Sequence, residues 1–308
     1  MLPQPIFIGG TGRSGTTIVL NLIARSSLVQ ASMPRELRYL TDRKGLIDLN
    51  YKRPIDIDPS FKYLRNSIAF KLMPLLGKTD LDLFLSRMRD KWWEEIGKTG
   101  KPRGLVQGID FAEFDMALNK FRENFKSDKL AASRNLFYEL SVAQIKKPDV
   151  RVFADSTPPN ILNSQFISRM FPEARFINMV RDGRDVALSV SREHWGPANP
   201  MAALEWWKKR TLRGHLALAK LEPEKVLTIR LENLVVLNRE QSFADILQHL
   251  GIPDEKRLRE YFDTNLTAEK MSQGKWREEV SDPISFDRRY QAILRELQSQ
   301  GCEIELLY

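Results

Sequence analysis

The stretch "PIFIGGTGRSGTTIVLNLI" (5–23) decides the architecture, because it reads as an apolar strand, a glycine-rich turn and an apolar helix in immediate succession. A glycine-rich turn that opens a helix points backbone N–H groups at an anion, and the helix dipole adds to the attraction. Glycines let the chain turn tightly and approach a ligand closely. The turn satisfies two patterns at once. "GTGRSG" (10–15) fits the dinucleotide fingerprint G-x-G-x-x-G. "GTGRSGTT" (10–17) fits the phosphate loop G-x-x-x-x-G-K-[ST], except that Thr16 stands where the lysine belongs.

Further apolar runs mark strands at 28–32, 151–155, 175–180 and 225–230, and helical patterns follow at 17–25, 160–171 and 184–194. Strands that are apolar throughout and alternate with helices predict an α/β fold, with a parallel sheet flanked by helices on both faces. No convincing strand is read between about 45 and 147. Phe61, Leu64, Ile68 and Leu72, and then Leu118, Phe121 and Phe125, recur at helical spacing. The expectation is one domain over residues 1–308 carrying a helical insertion at about 45–147, followed by a largely helical C-terminal third.

Composition narrows the functional classes. A net charge of +8 and a pI near 9.5 favour an anionic ligand, and no nucleic-acid-binding signature accompanies them, so no nucleic-acid partner is expected. The lone Cys302 excludes an intramolecular disulfide and a cysteine-based metal cluster. No run approaches the roughly 18 apolar residues of a membrane span, and no leader pattern opens the chain. A cytoplasmic protein without a transmembrane segment is the expectation.

Three readings of the loop compete. A dinucleotide site wants an acidic residue at the end of the second strand, and Glu36 lies at roughly that distance but past that strand. A nucleotide triphosphatase or kinase wants Lys at position 16 and an aspartate on a later strand for magnesium; Asp155 does end a strand. The third reading puts Arg13 at the apex, with Ser14, Gly15, Thr16 and Thr17 behind it, to neutralise a phosphate as a bond to it breaks, with no metal. A second anion motif favours the third reading. "RFINMVRDGRDVALS" (175–189) places Arg181 at the C-terminal end of a strand and Ser189 eight residues later on the next helix, with Arg184 nearby. Two anion sites at two strand ends imply a ligand with two separated phosphate groups.

These residues carry a family resemblance. "PIFIGGTGRSGTT" (5–17) resembles the phosphosulfate loop of sulfotransferases that use 3′-phosphoadenosine 5′-phosphosulfate (PAPS), "FPEARFINMVRDGRDVALS" (171–189) is similar to their 3′-phosphate motif, and "MSQGKW" (271–276) resembles their cofactor-closing segment. The resemblance implies a three-layer, P-loop-like fold and sulfuryl transfer from PAPS, leaving PAP, without a metal. It implies that Arg13, Ser14, Gly15, Thr16 and Thr17 hold the 5′-phosphosulfate, Arg181 and Ser189 the 3′-phosphate, and that Lys275 and Trp276 close over the cofactor.

"MPRELRYL" (33–40) matches the branch of this family whose general base is a glutamate, as in the tyrosylprotein and several bacterial enzymes; Glu36 is then the base, with Arg38 beside it. His194, at the end of the helix after the second motif, is the other candidate, while His215 and His249 read as structural. Two positions depart from the family. Ser156 stands where many members have a lysine at the leaving-group oxygen, and Leu231 where related proteins often have a tyrosine near the adenine. Arg13 is then expected to carry the leaving-group charge. "RYLTDRKGLIDL" (38–49) resembles a bacterial subgroup, which directs the acceptor toward a carbohydrate or glycolipid hydroxyl, with tyrosyl peptides, small molecules and a phosphotransferase as alternatives. The basic cluster in "WWKKRTLR" (206–213) is either a solvated helix face or a surface for acidic acceptors.

Overall fold

The computed structural model describes residues 2–53, 79–96, 100 and 102–302. Its centre is a five-stranded parallel sheet of β1 (Gln4–Gly10), β2 (Val29–Ala31), β5 (Val152–Asp155), β6 (Arg175–Val180) and β7 (Val226–Arg230), in the order β2-β5-β1-β6-β7. Every strand run read from the sequence is found within a residue or two of its expected place. β1 is the middle strand. The chain leaves it toward β2 on one side and returns through β5 to β6 on the other, so the loops after β5, β1 and β6 share one edge, the position where open α/β sheets bind ligands.

Alternation along the strands separates two cores. Phe7, Phe153 and Phe176 face one side, where Phe7 meets Phe137, Phe171 and Phe176 at ring separations of 5.8–5.9 Å under the helices Lys129–Ala143 and Ser164–Met170. Ile6, Ile8, Ala154 and Ile177 face the other side, beneath the helices Thr16–Ile23, Arg239–Leu250 and Lys256–Asn265. A third apolar cluster joins the helices Gly183–Ser191, Pro200–Leu218 and Pro283–Gln298. Asn199 caps the long helix Pro200–Leu218 through its side chain, and Pro200 at the first helical position needs no hydrogen-bond partner.

The insertion differs from expectation in one respect. Around its helices Asp80–Arg89 and Phe111–Asn124 it carries a short antiparallel hairpin, β3 (Glu95–Ile96) with β4 (Pro102–Arg103). Two-residue strands leave no readable period-two pattern, which is why the sequence does not show them. The helical spacing of Phe61 to Leu72 lies outside the described residues. Two helix boundaries also shift. The segment after β5 opens as a 3-10 turn, Pro158–Asn163, before Ser164–Met170, because consecutive prolines carry no N–H for an α-helical ladder. The helix after β6 stops at Ser191, before His194.

Candidate active site

Three neighbouring strand ends build the site. Over β1, the loop passes through left-handed backbone at Gly12 (φ 91°), Arg13 (φ 59°) and Gly15 (φ 98°), then enters the helix Thr16–Ile23. That helix has no side-chain cap, and its first backbone bonds run from Ile18 and Val19 to the Gly15 carbonyl. The N–H groups of Thr16 and Thr17 are thereby left for an anion. Gly15 is required twice: its φ suits glycine, and a Cβ there would stand 2.9 Å from Leu231 Cδ1. Leu231 is buried as the floor of the loop, so it offers no surface to an adenine. Ser14 is also buried, its hydroxyl enclosed without a hydrogen-bond partner among the described residues.

Over β6, Arg181 ties three segments together. One guanidinium nitrogen donates to the Arg13 carbonyl at 3.1 Å, another donates to the Ser272 carbonyl, and Nη2 lies 3.9 Å from Asp185. Among the described residues its Nε is buried without a partner, a donor suited to an incoming phosphate oxygen. Arg13 Nε donates to Ser189 Oγ at 2.8 Å, and its Nη1 lies 3.7 Å from Glu193. The residues expected at the 5′ and 3′ ends of the ligand therefore meet in one continuous basic surface. The C-terminal segment joins it through its backbone: Gly274 N–H donates to both Asp185 carboxylate oxygens at 3.0 and 3.1 Å. Lys275 is exposed beside it. The Trp276 indole, expected over the cofactor, is instead buried against Phe286 with the Arg184 guanidinium 4.5 Å above it.

Over β5 sits Glu36, on a turn pinned from both sides. Ser156 donates its N–H and its hydroxyl to the Arg35 carbonyl at 3.0 and 3.1 Å, while Asp155 accepts the Leu37 N–H at 2.8 Å. Asp155 is itself enclosed, accepting from Thr157 and Asn160 as well. It is a pedestal and not a magnesium ligand at the loop. Ser156, read from the sequence as a lysine lost, is part of that pedestal. Glu36 is exposed to solvent, with the surrounding protein desolvating part of its carboxyl. Burial first, and then the buried Asp155 carboxyl, push its pKa above the usual carboxylate range, with Arg38 and Arg103 pulling the other way. Arg38 does not pair with Glu36. It reaches Asp42 at 3.3 Å and Glu95 at 3.4 Å, which leaves the Glu36 carboxyl without an ion pair among the described residues.

The three histidines sit on other elements than the Glu36 turn. His194 is exposed beyond the helix end at Ser191, next to the Glu193 that pairs with Arg13. His215 lines a cavity of about 220 Å³ between Pro200–Leu218 and β6–β7, and the His249 imidazole is held near pKa 4 by burial and then by Arg175. Two of the four "WWKKRTLR" cations are also committed. Lys208 pairs with Glu296, and Arg210 donates to the Thr11 carbonyl at 3.0 Å while lying over Trp206. Trp206 and Trp195 in turn flank the loop, Trp195 about 3.6 Å from where a Gly12 Cβ would stand. This clamp, Trp195–Trp206–Arg210, was not visible as a site element in the sequence, where only its charge stood out. Among the described residues no group of three His, Cys, Asp or Glu side chains is placed to hold a metal ion, and no helix is long and apolar enough to cross a membrane.

Residues 5–256 match the sulfotransferase family. The chain belongs to that family. Among solved structures, the sulfotransferase domain from the curacin biosynthetic pathway aligns over 96% of this chain and 98% of its own, with 17% identity and a TM-score of 0.54. Sulfotransferase STF9 from Mycobacterium avium aligns over 99% of this chain and 78% of its own, with 11% identity and a TM-score of 0.52. Both likenesses are of fold. Comparison with curated protein sequences gave no match. Membership makes the protein a sulfuryl-transfer enzyme.

Proposed function

We propose that the protein transfers a sulfuryl group from PAPS to a hydroxyl of a carbohydrate or glycolipid, with Glu36 as general base. One observation carries the reading. The Glu36 turn, the loop around Arg13, and Arg181 stand over β5, β1 and β6, three adjacent strands about 4.8 Å apart at each step. That order supports an acceptor at the β5 end, the transferred group over the loop, and the nucleotide at the β6 end, an in-line arrangement.

The unpartnered Arg181 Nε, the uncapped helix start and the left-handed loop fit a donor with two anionic ends. PAPS supplies the sulfuryl group. The loop N–H groups and Arg13 hold its phosphosulfate and take up charge on the leaving phosphate, Arg181 and Ser189 hold the 3′-phosphate, and the Gly274–Lys275 backbone closes that end. Glu36 accepts the acceptor's proton as the new O–S bond forms. A pKa raised by burial and by Asp155 suits a group that must take up that proton.

The test is radiolabelled transfer from PAPS to sugars, glycolipids and tyrosyl peptides, beside PAP titrations. Glu36→Gln is expected to lose about 100-fold or more in turnover with PAP affinity retained. Arg181→Ala is expected to lose PAP affinity by about 30-fold or more. Unchanged turnover in Glu36→Gln removes the base assignment. Transfer that needs magnesium and runs from ATP would make the protein a phosphotransferase instead.

A further inference from the structure

The strands β6 and β7 leave the sheet together. Val180 and Arg230 are their last residues in register, and Arg181–Asp182 and Leu231–Glu232 follow on the two chains. Past the ladder a side chain takes over the pairing: Glu232 Oε1 accepts the Asp182 N–H at 2.9 Å. Both residues are buried, Glu232 completely, and its other oxygen, Oε2, has no hydrogen-bond partner among the described residues. Enclosing a carboxyl to satisfy one N–H costs the fold free energy, which a turn that had no need to stand in one place would not require. Asp182 is held from its side chain as well, where its carboxylate accepts the Arg184 N–H at 2.8 Å and pairs with the Arg184 guanidinium at 2.6 Å. The neighbour of Glu232 supports the other loop, since a Cβ on Gly15 would stand 2.9 Å from Leu231 Cδ1. One strand end thus braces both anion loops, Leu231 the loop over β1 and Glu232 the turn that carries Arg181.

We propose that Glu232 is a positioning residue for the donor: by fixing the Asp182 N–H it sets where Arg181 presents its guanidinium to the 3′-phosphate. This rests on the reading of Arg181 as the group that receives that phosphate. Arg181 is the residue next to the anchored N–H, and its guanidinium donates to the Arg13 and Ser272 carbonyls, so a shift of the turn moves those contacts with it. A guanidinium fork is directional, and a small displacement loses hydrogen bonds to a phosphate. The step from Leu231 to Glu232 also fixes the span between the two loops, which a donor with two anionic ends needs constant. The contact calls for an acceptor oxygen and not for a charge. Burial pushes the Glu232 pKa up while the Asp182 N–H and its own backbone N–H pull the other way, and one oxygen accepts in either protonation state. A glutamine therefore meets the requirement.

Calorimetric titration with PAP and with 5′-AMP, which lacks the 3′-phosphate, tests the proposal. Glu232→Leu is expected to weaken PAP about ten-fold while 5′-AMP stays within about two-fold of wild type, and that retained binding reports a folded protein. Glu232→Gln is expected to keep PAP affinity within about three-fold. In an Arg181→Ala background, adding Glu232→Leu is expected to change PAP affinity less than about two-fold, because the two residues act through one contact. Should Glu232→Leu not fold, Glu232→Asp, one methylene short of the Asp182 N–H, is expected to show the same loss confined to PAP at about three- to five-fold. Equal losses of PAP and 5′-AMP in the variant that folds, no rescue by glutamine, or a full further loss on top of Arg181→Ala overturns the proposal, since each is what a merely structural role would give. A wild type that binds PAP no better than 5′-AMP, or an Arg181→Ala variant that keeps full PAP affinity, strikes the donor reading itself and the proposal with it.

Discussion

Asp155→Asn is the sharpest probe of how the fold presents Glu36. The carboxylate receives only donors. Oδ1 accepts from Leu37 N at 2.8 Å, Thr157 Oγ1 at 2.9 Å and Ser32 Oγ at 3.4 Å; Oδ2 accepts from Asn160 Nδ2 at 2.7 Å and Thr157 N at 3.3 Å. An asparagine of the same shape keeps one acceptor oxygen and turns an NH2 toward the other donors. In its best orientation the oxygen stays on Leu37, and Asn160 flips so that its presently unpartnered oxygen accepts the new NH2. The flip costs the bond from Asn160 Nδ2 to the Ile8 carbonyl, 3.1 Å, and the Thr157 N–H is left without an acceptor. Two orphaned buried groups at about 1–3 kcal/mol each, less the relief of burying no charge, give a loss of about 2–4 kcal/mol. For a chain of this length that is a fall in Tm of about 3–6 °C. The strained pedestal also loosens the Glu36 turn, so kcat is expected to fall about 10- to 100-fold with PAP affinity kept. Thermal unfolding, turnover and PAP titration of the one variant read all three. A stability change below about 0.5 kcal/mol would refute the network argument. Lost stability with unchanged turnover would refute the link from Asp155 to Glu36.

Two further outcomes follow from the same contacts. Gly15→Ala puts a side chain at φ 98° and 2.9 Å from Leu231 Cδ1, and is expected to cost about 2–3 kcal/mol in thermal unfolding and most of the PAP affinity; wild-type PAP binding in that variant would contradict the loop's role. His249 is neutral in the fold, with a pKa near 4 against an ordinary 6.5, so the unfolded chain binds the extra proton first. Stability is therefore full above pH 6.5 and declines as pH falls toward 4. The limit set by those values is ~3 kcal/mol, which partial exposure of the ring brings to about 1–2 kcal/mol. Urea melts across that window are expected to lose this slope in His249→Gln.

What could be read from the chain alone was what depends on neighbours in sequence. The strand, turn and helix of residues 5–23 are one local unit, and the spacing from Arg181 to Ser189 spans one strand end and two turns of helix, so both strand–loop–helix units were legible before any fold was known. The pedestal was not, because Asp155 and Ser156 act on a turn 118 to 121 residues away in the chain. A serine in place of a family lysine looked like a loss until its partner, the Arg35 carbonyl, was in view. Charge misled for the same reason. "WWKKRTLR" is the densest basic run, yet Lys208 is spent on Glu296 and Arg210 on the Thr11 carbonyl, and Arg184 is spent on Asp182 and Asp287. A basic chain meets its ligand with the charges its own fold leaves unspent, and a run of lysines and arginines in the sequence does not reveal which those are.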